Sequence, residues 1–384
     1  MKIGLVLDDS LDKTDGVQQY VLAIGQWFAA QGHAVHYLVG ETTRTDIPNV
    51  HSLSRNLHVR FNQNRMSMPL LADGRQLNQL IATERFDVLH VQMPYSPFLA
   101  ARIIRRASAE TAVIGTFHIL PYSWVERLGT RLLGWFLWRN LRRFDDVIAV
   151  SAPAGRFAEQ YFRSQSQVVP NAVNTAVFAK GRRRKDCDDG KIHVVFLGRL
   201  VERKGAKALL EVVSYLQQKD LLQNVRFIMC GKGPLDAELK QYVVDSQLGQ
   251  YVQFVGFVSE DDKPDYLASA DIAVYPSLGG ESFGIVLVEA MAAGSSVVIG
   301  GDNPGYRSIL GEHPEQLVNP SDTIPFAMTL KHYIDSSEAR QRAAAWQQRA
   351  VHQYDTMVVG GKLLGIYAKA IAKRSAKPDN TTNA

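Results

Sequence analysis

Gly279-Gly280-Glu281-Ser282-Phe283-Gly284-Ile285-Val286-Leu287-Val288-Glu289-Ala290-Met291-Ala292-Ala293-Gly294 directly follows the segment Asp271-Ile272-Ala273-Val274-Tyr275-Pro276-Ser277-Leu278, and the junction between them decides how the chain is read. The run from Asp271 to Tyr275 has the composition of a buried strand. Two glycines then let the backbone turn sharply, and the apolar run from Ile285 to Ala293 suits a helix packed on all sides, with Gly294 placed for a left-handed cap. A Gly-rich turn feeding a helix N-terminus offers unpaired N–H groups and the positive end of a dipole, which suits a phosphate. Glu281 stands just before this helix. Glu289 falls about one and a half turns inside it if the helix starts near Gly284. Two carboxylates would repel a phosphate there unless they accept hydrogen bonds from neutral hydroxyls, and sugars supply such hydroxyls. For a lone Gly-Gly-Glu, a capped helix with an ordinary glutamate reads equally well.

Working outward, 384 residues suit two domains, each able to bury its own core. Hydrophobic content of 46% and charged content of 21% are ordinary for a globular chain. A net charge of +5 is modest for this length, and since a nucleic-acid binder normally shows a denser basic face, the excess fits a phosphorylated ligand or an anionic membrane surface better. Cys187 and Cys230 cannot build a disulfide framework, and Cys230 in an apolar strand pattern reads as a buried inert thiol. Met1-Lys2-Ile3-Gly4 enters a strand at once without a signal peptide, and no apolar segment reaches about 18 residues. The expected location is therefore cytoplasmic.

In the first half, Lys2–Leu7 is a strand, and Val17, Tyr20, Val21, Ile24, Trp27 and Phe28 recur at helical spacing up to Gly32. With the strand from Ala34 to Val39, this opens a doubly wound α/β domain. Gly16 falls at the helix start, as an N-cap glycine or a place where a phosphate approaches the backbone. Residues 41–75 show little periodicity. The strands around Asp87–Pro94 and Ala112–Phe117 place His90 and His118 at the rim where open α/β sheets hold ligands. From Trp124 to Arg143, Arg127, Arg131, Arg139, Arg142 and Arg143 interleave with Trp124, Leu128, Leu132, Leu133, Trp135, Phe136 and Trp138. That mixture fits either an interfacial helix on anionic lipid or a domain helix with solvated arginines. Asp186 and Asp188 spell a word used by metal-dependent transferases, but their charged surroundings read as solvated linker.

The second half opens with the strand Ile192–Leu197, then Gly198-Arg199 and Glu202-Arg203-Lys204-Gly205. Arg199 and Lys204 bring two cations to the end of that strand. A departing diphosphate needs its growing charge neutralised by a metal or by fixed cations, and Arg and Lys supply a fork and a point charge.

These motifs together resemble the retaining nucleotide-sugar glycosyltransferases of family 4, and most closely the phosphatidylinositol mannosyltransferase branch. The Glu281-x7-Glu289 pair, Gly198-Arg199 with Lys204-Gly205, and Thr116-Phe117-His118 carry the resemblance. It runs over essentially the whole chain and is strongest from 192 to 294. It implies the GT-B fold: α/β, with two Rossmann-like domains facing across a cleft. It implies an N-terminal acceptor domain over 1–178, a charged linker over 179–190 and a nucleotide-sugar domain over 191–355. A helix over 356–376 would cross back to the first domain, ahead of a frayed tail over 377–384.

The resemblance also implies roles. Glu281 would hold donor-sugar hydroxyls and Glu289 the ribose. Arg199 and Lys204 would meet the phosphates, with Ser282, Phe283, Gly284 and Ile285 forming the helix start. The Val258 backbone, Glu260 and Lys263 would hold the base. Gly16 would face the pyrophosphate, and His118 the donor sugar and reaction centre. The catalytic set is then His118, Arg199, Lys204 and Glu281, and neither a metal nor another cofactor is expected. The family often has a second histidine two residues after the one matched by His90; this chain has Gln92. The segment Pro170-Asn171-Ala172-Val173-Asn174 departs from the family's Pro-Asn-Gly-Val-Asp. The implied reaction moves a hexose, mannose from GDP-mannose, to a lipid-linked acceptor such as phosphatidylinositol, with the protein peripheral on the inner membrane face. A UDP-hexose donor with a soluble sugar or inositol phosphate acceptor, or binding without turnover, stays open. No nucleic-acid partner is expected.

Overall fold

Short, almost wholly apolar segments become parallel strands in two separate sheets, as expected where both faces of a sheet are covered. The computed structural model describes residues 1–13, 15–61, 64–69, 72–120 and 124–376, with the backbone alone at 56–61, 64–69, 124–129 and 132. The expected tail over 377–384 lies outside the described residues. The chain divides into two units, Val173–Asp355 and a second made of Met1–Ala172 together with the segment from Thr356 onward.

In the first unit the strands are β1 (Lys2–Leu7), β2 (Ala34–Val39), β3 (Val50–Ser52), β4 (Asn56–Phe61), β5 (Asn64–Pro69), β6 (Val88–Gln92), β7 (Ala112–Phe117), β8 (Asp146–Ala149) and β9 (Gln167–Val168). Among the described residues the main sheet has the order β3-β2-β1-β6-β7-β8-β9, parallel at every pairing. The β4–β5 pair is a separate antiparallel hairpin. Residues 41–75 thus hold one three-residue strand of the main sheet and a separate antiparallel pair, not a long strand of the sheet, which is why they lacked a clear pattern. Helix Gly16–Ala30 buries Tyr20, Val21, Ile24 and Phe28 as its periodicity foretold. The helix Thr356–Ser375 belongs to this unit. A Cβ on Gly360 would lie 2.4 Å from Trp27 Cε3, so glycine is what lets this helix approach Gly16–Ala30 so closely. Farther along, the Tyr367 hydroxyl meets His90 Nδ1 at 2.6 Å, and Arg374 Nε donates to Asp145 Oδ1 at 2.7 Å.

The second unit contains β10 (Ile192–Leu197), β11 (Val225–Cys230), β12 (Val252–Gly256), β13 (Ile272–Tyr275), β14 (Val297–Gly301) and β15 (Leu317–Val318). Their order is β12-β11-β10-β13-β14-β15, again parallel throughout. Val194, Phe196, Phe227, Ile272 and Ile299 from the strands join Leu209, Val213 and Leu330 from the helices in one buried cluster. Cys230 is buried at the end of β11, and desolvation pushes its thiol up to about 12, so it is an inert core group.

Two expected boundaries differ. Residues 173–178 belong to the second unit: Val173 N–H donates to the Tyr354 carbonyl at 2.9 Å, and the Thr175 hydroxyl bonds Asp355. The charged stretch 179–190 is no free linker. Arg183 Nη2 lies 3.3 Å from Asp271 Oδ2, Arg184 N–H donates to Ser269 Oγ at 2.9 Å, and the Arg184 guanidinium covers the Tyr266 ring at 4.3 Å. Arg183 and Arg184 thus reach partners more than eighty residues away, which a local charge run cannot reveal.

Candidate active site

A doubly wound sheet opens a crevice at the carboxyl ends of its strands where the strand order reverses. In the second unit that point lies between β10 and β13, so the loops leaving these two strands are neighbours. The first carries Arg199 and Lys204, and the second carries Glu281, which is how residues distant in sequence become adjacent. Gly205, with φ +73°, locks the loops together, because a Cβ there would lie 1.8 Å from the Pro276 carbonyl oxygen.

Glu281 is the hub of this point. Its Oε1 accepts from Lys204 Nζ at 2.7 Å, Arg203 Nη1 at 2.9 Å and Ser277 Oγ at 3.0 Å. Burial pulls its pKa upward, but Lys204 and Arg203 outweigh burial and hold it below the usual carboxylate range. Arg203 also binds the same loop through its backbone, its carbonyl accepting from Leu278 N–H at 2.9 Å and Ser277 Oγ at 3.0 Å. Sequence reading passed over Arg203 and Ser277. The available signal was the basic pair Arg203-Lys204 itself, in a short 3-10 turn that presents both cations. Arg199 sits half-buried in the same loop, at the carboxyl end of β10.

After Glu281 come Ser282, Phe283 and Gly284, then the helix Ile285–Ala292. Gly284 has φ +113°, and a Cβ there would meet the Tyr306 ring at 2.7 Å. Phe283 is buried, edge-on to Tyr354 at 5.5 Å, which fixes the approach to the helix start. Glu289, buried on this helix, meets Lys263 Nζ at 3.3 Å, while Glu260 Oε2 takes the same ammonium at 2.6 Å. Burial pushes the Glu289 carboxyl up, against the opposing pull of Lys263. Burial works against the Lys263 ammonium, but Glu289 and Glu260 prevail and raise its pKa, so it stays charged. Val258, half-buried, leads into this loop. Glu260, Lys263 and Glu289 thus form one linked group, and Lys204, Arg203 and Glu281 another, on the same unit.

In the first unit, His118 follows β7 and is buried. Its Nε2 lies 2.6 Å from Gln92 Oε1, and the Tyr20 ring stands edge-on at 5.0 Å. Burial drives its pKa down to about 3, against a smaller upward pull from Asn171, so the ring is neutral. His90 is not the rim residue expected. β6 runs on to Gln92, which leaves His90 inside the strand, fully buried, with Nε2 at 2.6 Å from Thr116 Oγ1 and Nδ1 on Tyr367. Gly16 is exposed at the first position of its helix.

The aromatic and basic stretch forms helix Trp124–Leu141. Leu137 and Leu141 pack with Phe117, Phe157 and Phe162, and Gly134 lies against the Tyr161 carbonyl. Trp135, Phe136 and Trp138 are 79%, 71% and 50% exposed, beside exposed Arg131, Arg139 and Arg142, and the Arg142 guanidinium stacks on Trp138 at 5.1 Å. The side chains of Trp124, Arg127, Leu128 and Leu132 lie outside the described residues. Asp186 pairs with Arg184 at 3.1 Å and Asp188 with Arg183 at 3.5 Å. Among the described residues no three carboxylate, histidine or cysteine groups converge as metal ligands, and no helix is long and apolar enough to cross a membrane.

Residues 14–177 match the family Glycosyltransferase Family 4, and residues 178–349 match Glycosyl transferases group 1. The phosphatidyl-myo-inositol mannosyltransferase of Mycolicibacterium smegmatis is 31% identical over 96% of this chain and 93% of its own length. Its counterpart from Mycobacterium tuberculosis is 30% identical over 98% and 99%. A glycosyltransferase from Rickettsia africae superposes with a TM-score of 0.75 at 16% identity, covering 96% of this chain and 98% of that one. Anabaena HepE in complex with UDP and glucose does so with a TM-score of 0.74 at 18% identity, covering 96% and 100%. These likenesses establish the GT-B fold. The chain is a glycosyltransferase of family 4, and it belongs with the phosphatidyl-myo-inositol mannosyltransferases.

Proposed function

We propose that the protein transfers mannose, with retention, from GDP-mannose to a phosphatidylinositol-type lipid acceptor. The observation that carries this reading is the convergence of Lys204 and Arg203 on Glu281 beside a helix N-terminus, in a chain whose full-length relatives are named for that transfer. Fixed cations suit a departing diphosphate without a metal, and Lys204, Arg199 and the Ile285 end of the helix take that role. Glu281 then holds hydroxyls of the sugar, Glu289 the ribose, and the Val258 backbone with Glu260 and Lys263 the base. By the family resemblance, Gly16 is assigned to the pyrophosphate and His118 to the sugar. A front-face course, in which the leaving phosphate takes the acceptor proton as the new bond forms on the same face, fits a site where, among the described residues, no side chain offers itself clearly as a covalent nucleophile.

Incubating the protein with GDP-mannose and phosphatidylinositol should yield a mannosylated lipid. Product only from a UDP-hexose and a soluble sugar or inositol phosphate would replace both donor and acceptor. Donor binding without turnover on any acceptor would reduce the protein to a nucleotide-sugar binder.

A second observation favours a lipid surface. Tryptophans beside arginines on the exposed face of Trp124–Leu141 suit the headgroup level of anionic lipid. On this reading the protein is cytoplasmic and rests on the inner membrane face through that helix.

A further inference from the structure

Glu281 is held by one of its oxygens and not by the other. Lys204 Nζ at 2.7 Å, Arg203 Nη1 at 2.9 Å and Ser277 Oγ at 3.0 Å all fall on Oε1. Among the described residues no donor falls on Oε2, and that atom is not one of the buried polar atoms left without a partner. With 13% of the side chain exposed, Oε2 is therefore the oxygen that reaches solvent.

The three donors on Oε1 are not equivalent. Ser277 is buried, and its hydroxyl has one proton with three acceptors in reach: Glu281 Oε1 at 3.0 Å, the Arg203 carbonyl at 3.0 Å and the Gly279 carbonyl at 3.4 Å. The carboxylate takes it. Glu281 stays ionised despite burial, because Lys204 and Arg203 sit beside it. A hydrogen bond to an ionised acceptor is roughly twice as strong as a neutral one. The Arg203 carbonyl, moreover, is already served by the Leu278 N–H at 2.9 Å. The Tyr306 hydroxyl, kept protonated by burial, also meets Ser277 and can donate to Oγ, which leaves the serine proton for Glu281. Lys204 and Arg203 are cations, and an incoming diphosphate competes for them. A buried neutral hydroxyl on the carboxylate's own loop meets no such competition.

We propose that Ser277 is a positioning residue that holds Glu281 through Oε1 and so presents Oε2 to a hydroxyl of the donor sugar. That Glu281 meets sugar hydroxyls rests on the function proposed above; the split between its two oxygens does not. The sugar hydroxyl donates its proton to Oε2, and a nucleoside diphosphate without a sugar has no group for that position. Loss of the serine is then felt by the sugar and not by the nucleotide. Loss of a merely structural contact would loosen the whole loop, and with it both ligands.

The test compares Ser277→Ala and Ser277→Cys, a close match in size but a poor donor, with the parent full chain. Transfer from GDP-mannose to phosphatidylinositol and inhibition by GDP are measured on each. In both variants kcat/KM for the donor should fall about tenfold or more, as for a lost hydrogen bond to a charged group, while the inhibition constant of GDP stays within about twofold. Donor kcat/KM within about twofold of the parent overturns the proposal, and so does a GDP constant that worsens as much as kcat/KM does. Thermal melts show which variants fold, and either folded variant decides; failure of both to fold would make Ser277 a structural residue and overturn the proposal too. A parent that uses only a UDP-hexose loses the donor assignment alone, and the same comparison is made with UDP. A parent that binds a nucleotide sugar without turnover loses the proposed function, and dissociation constants of the nucleotide sugar and the nucleotide then decide the role of Ser277. A parent that binds no nucleotide sugar overturns both.

Discussion

Lys204 Nζ lies 2.7 Å from Glu281 Oε1, joining residues 77 positions apart and tying the loop after β10 to the loop after β13. Both side chains are mostly buried, at 18% and 13% exposure, so solvent screens the pair only weakly. Lys204→Ala and Arg199→Ala should each lower kcat/KM by at least about 30-fold, roughly 2 kcal/mol of transition-state stabilisation, because each leaves developing phosphate charge uncompensated. Steady-state kinetics decide it. Rates within twofold of the parent for both variants would remove these cations from the site.

Because the positive charge at this turn comes from side chains, transfer should survive excess chelator. Activity lost in chelator and restored by magnesium or manganese would show that the fixed cations do not suffice.

Stability should depend on pH through three buried groups with opposite signs. His90 and His118 have folded pKa values near 3, below the ordinary 6.5, so their contribution is complete above about 6.5 and is lost as pH falls toward 3. Asp8 is the reverse. Burial raises it to about 6, despite hydrogen bonds from Ser96 and the Ala100 N–H, so its contribution is present below about 4 and is lost as pH rises through 6. Denaturant titrations should therefore show the parent losing stability as it is acidified from pH 6.5. Asp8→Asn, which keeps the acceptor and removes the charge, should gain up to about 3 kcal/mol on the parent at pH 7 and nothing at pH 3.5. An Asp8→Asn variant that gains nothing on the parent at pH 7 would show that burying the charge there carries no cost.

Two neighbouring glycines give a contrast. Gly360→Ala drives a methyl into the Trp27 ring and should cost about 1–3 kcal/mol. A Cβ on Gly361 meets nothing within 4 Å, so Gly361→Ala should be neutral or stabilising by up to about 1 kcal/mol. Equal melting temperatures for the two variants would mean that the helix does not approach Trp27 so closely.

For helix Trp124–Leu141 the exposed and buried faces should separate cleanly. The protein should co-sediment with vesicles containing anionic lipid and not with neutral ones. Arg131, Arg139 and Arg142 changed together to Ser should release it without unfolding it, at about 1 kcal/mol per arginine. Trp135→Ser should leave stability nearly unchanged, since the ring is exposed, whereas Leu137→Ala should cost about 2–5 kcal/mol. Sedimentation with neither vesicle would leave the exposed aromatics without a lipid role.

Much of the fold was legible because strands buried on both faces must be apolar runs, and the turns between them need glycine. Gly205 and Gly284 are where that chemistry is strictest, and the Arg199–Lys204 and Glu281 loops followed from it. What escaped were pairings that no local pattern encodes. Arg203 and Ser277 matter only because the strand order puts their loops together. His90 was assigned to the rim because Pro94 marks a loop, yet β6 continues two residues past the histidine. The charge run at 182–189 looked solvated because its partners Asp271 and Tyr266 lie some eighty residues on. Helix Trp124–Leu141 has aromatics on its exposed face and leucines on its buried one, so neither of two opposed readings excluded the other.

The helix that completes the first unit is made after the whole of the second. Residues 1–172 leave the ribosome with the His90 hydroxyl partner and the cover over Trp27 still unsynthesised, and Tyr367 and Gly360 follow only when the 183 residues of Val173–Asp355 have been added. At about 5–20 residues per second that delay is on the order of ten seconds or more. During it, β6 holds a buried histidine short of one partner, and the second unit has every reason to finish first. Nascent chains halted before residue 356 should therefore protect the later-made half from protease and leave the earlier-made half open.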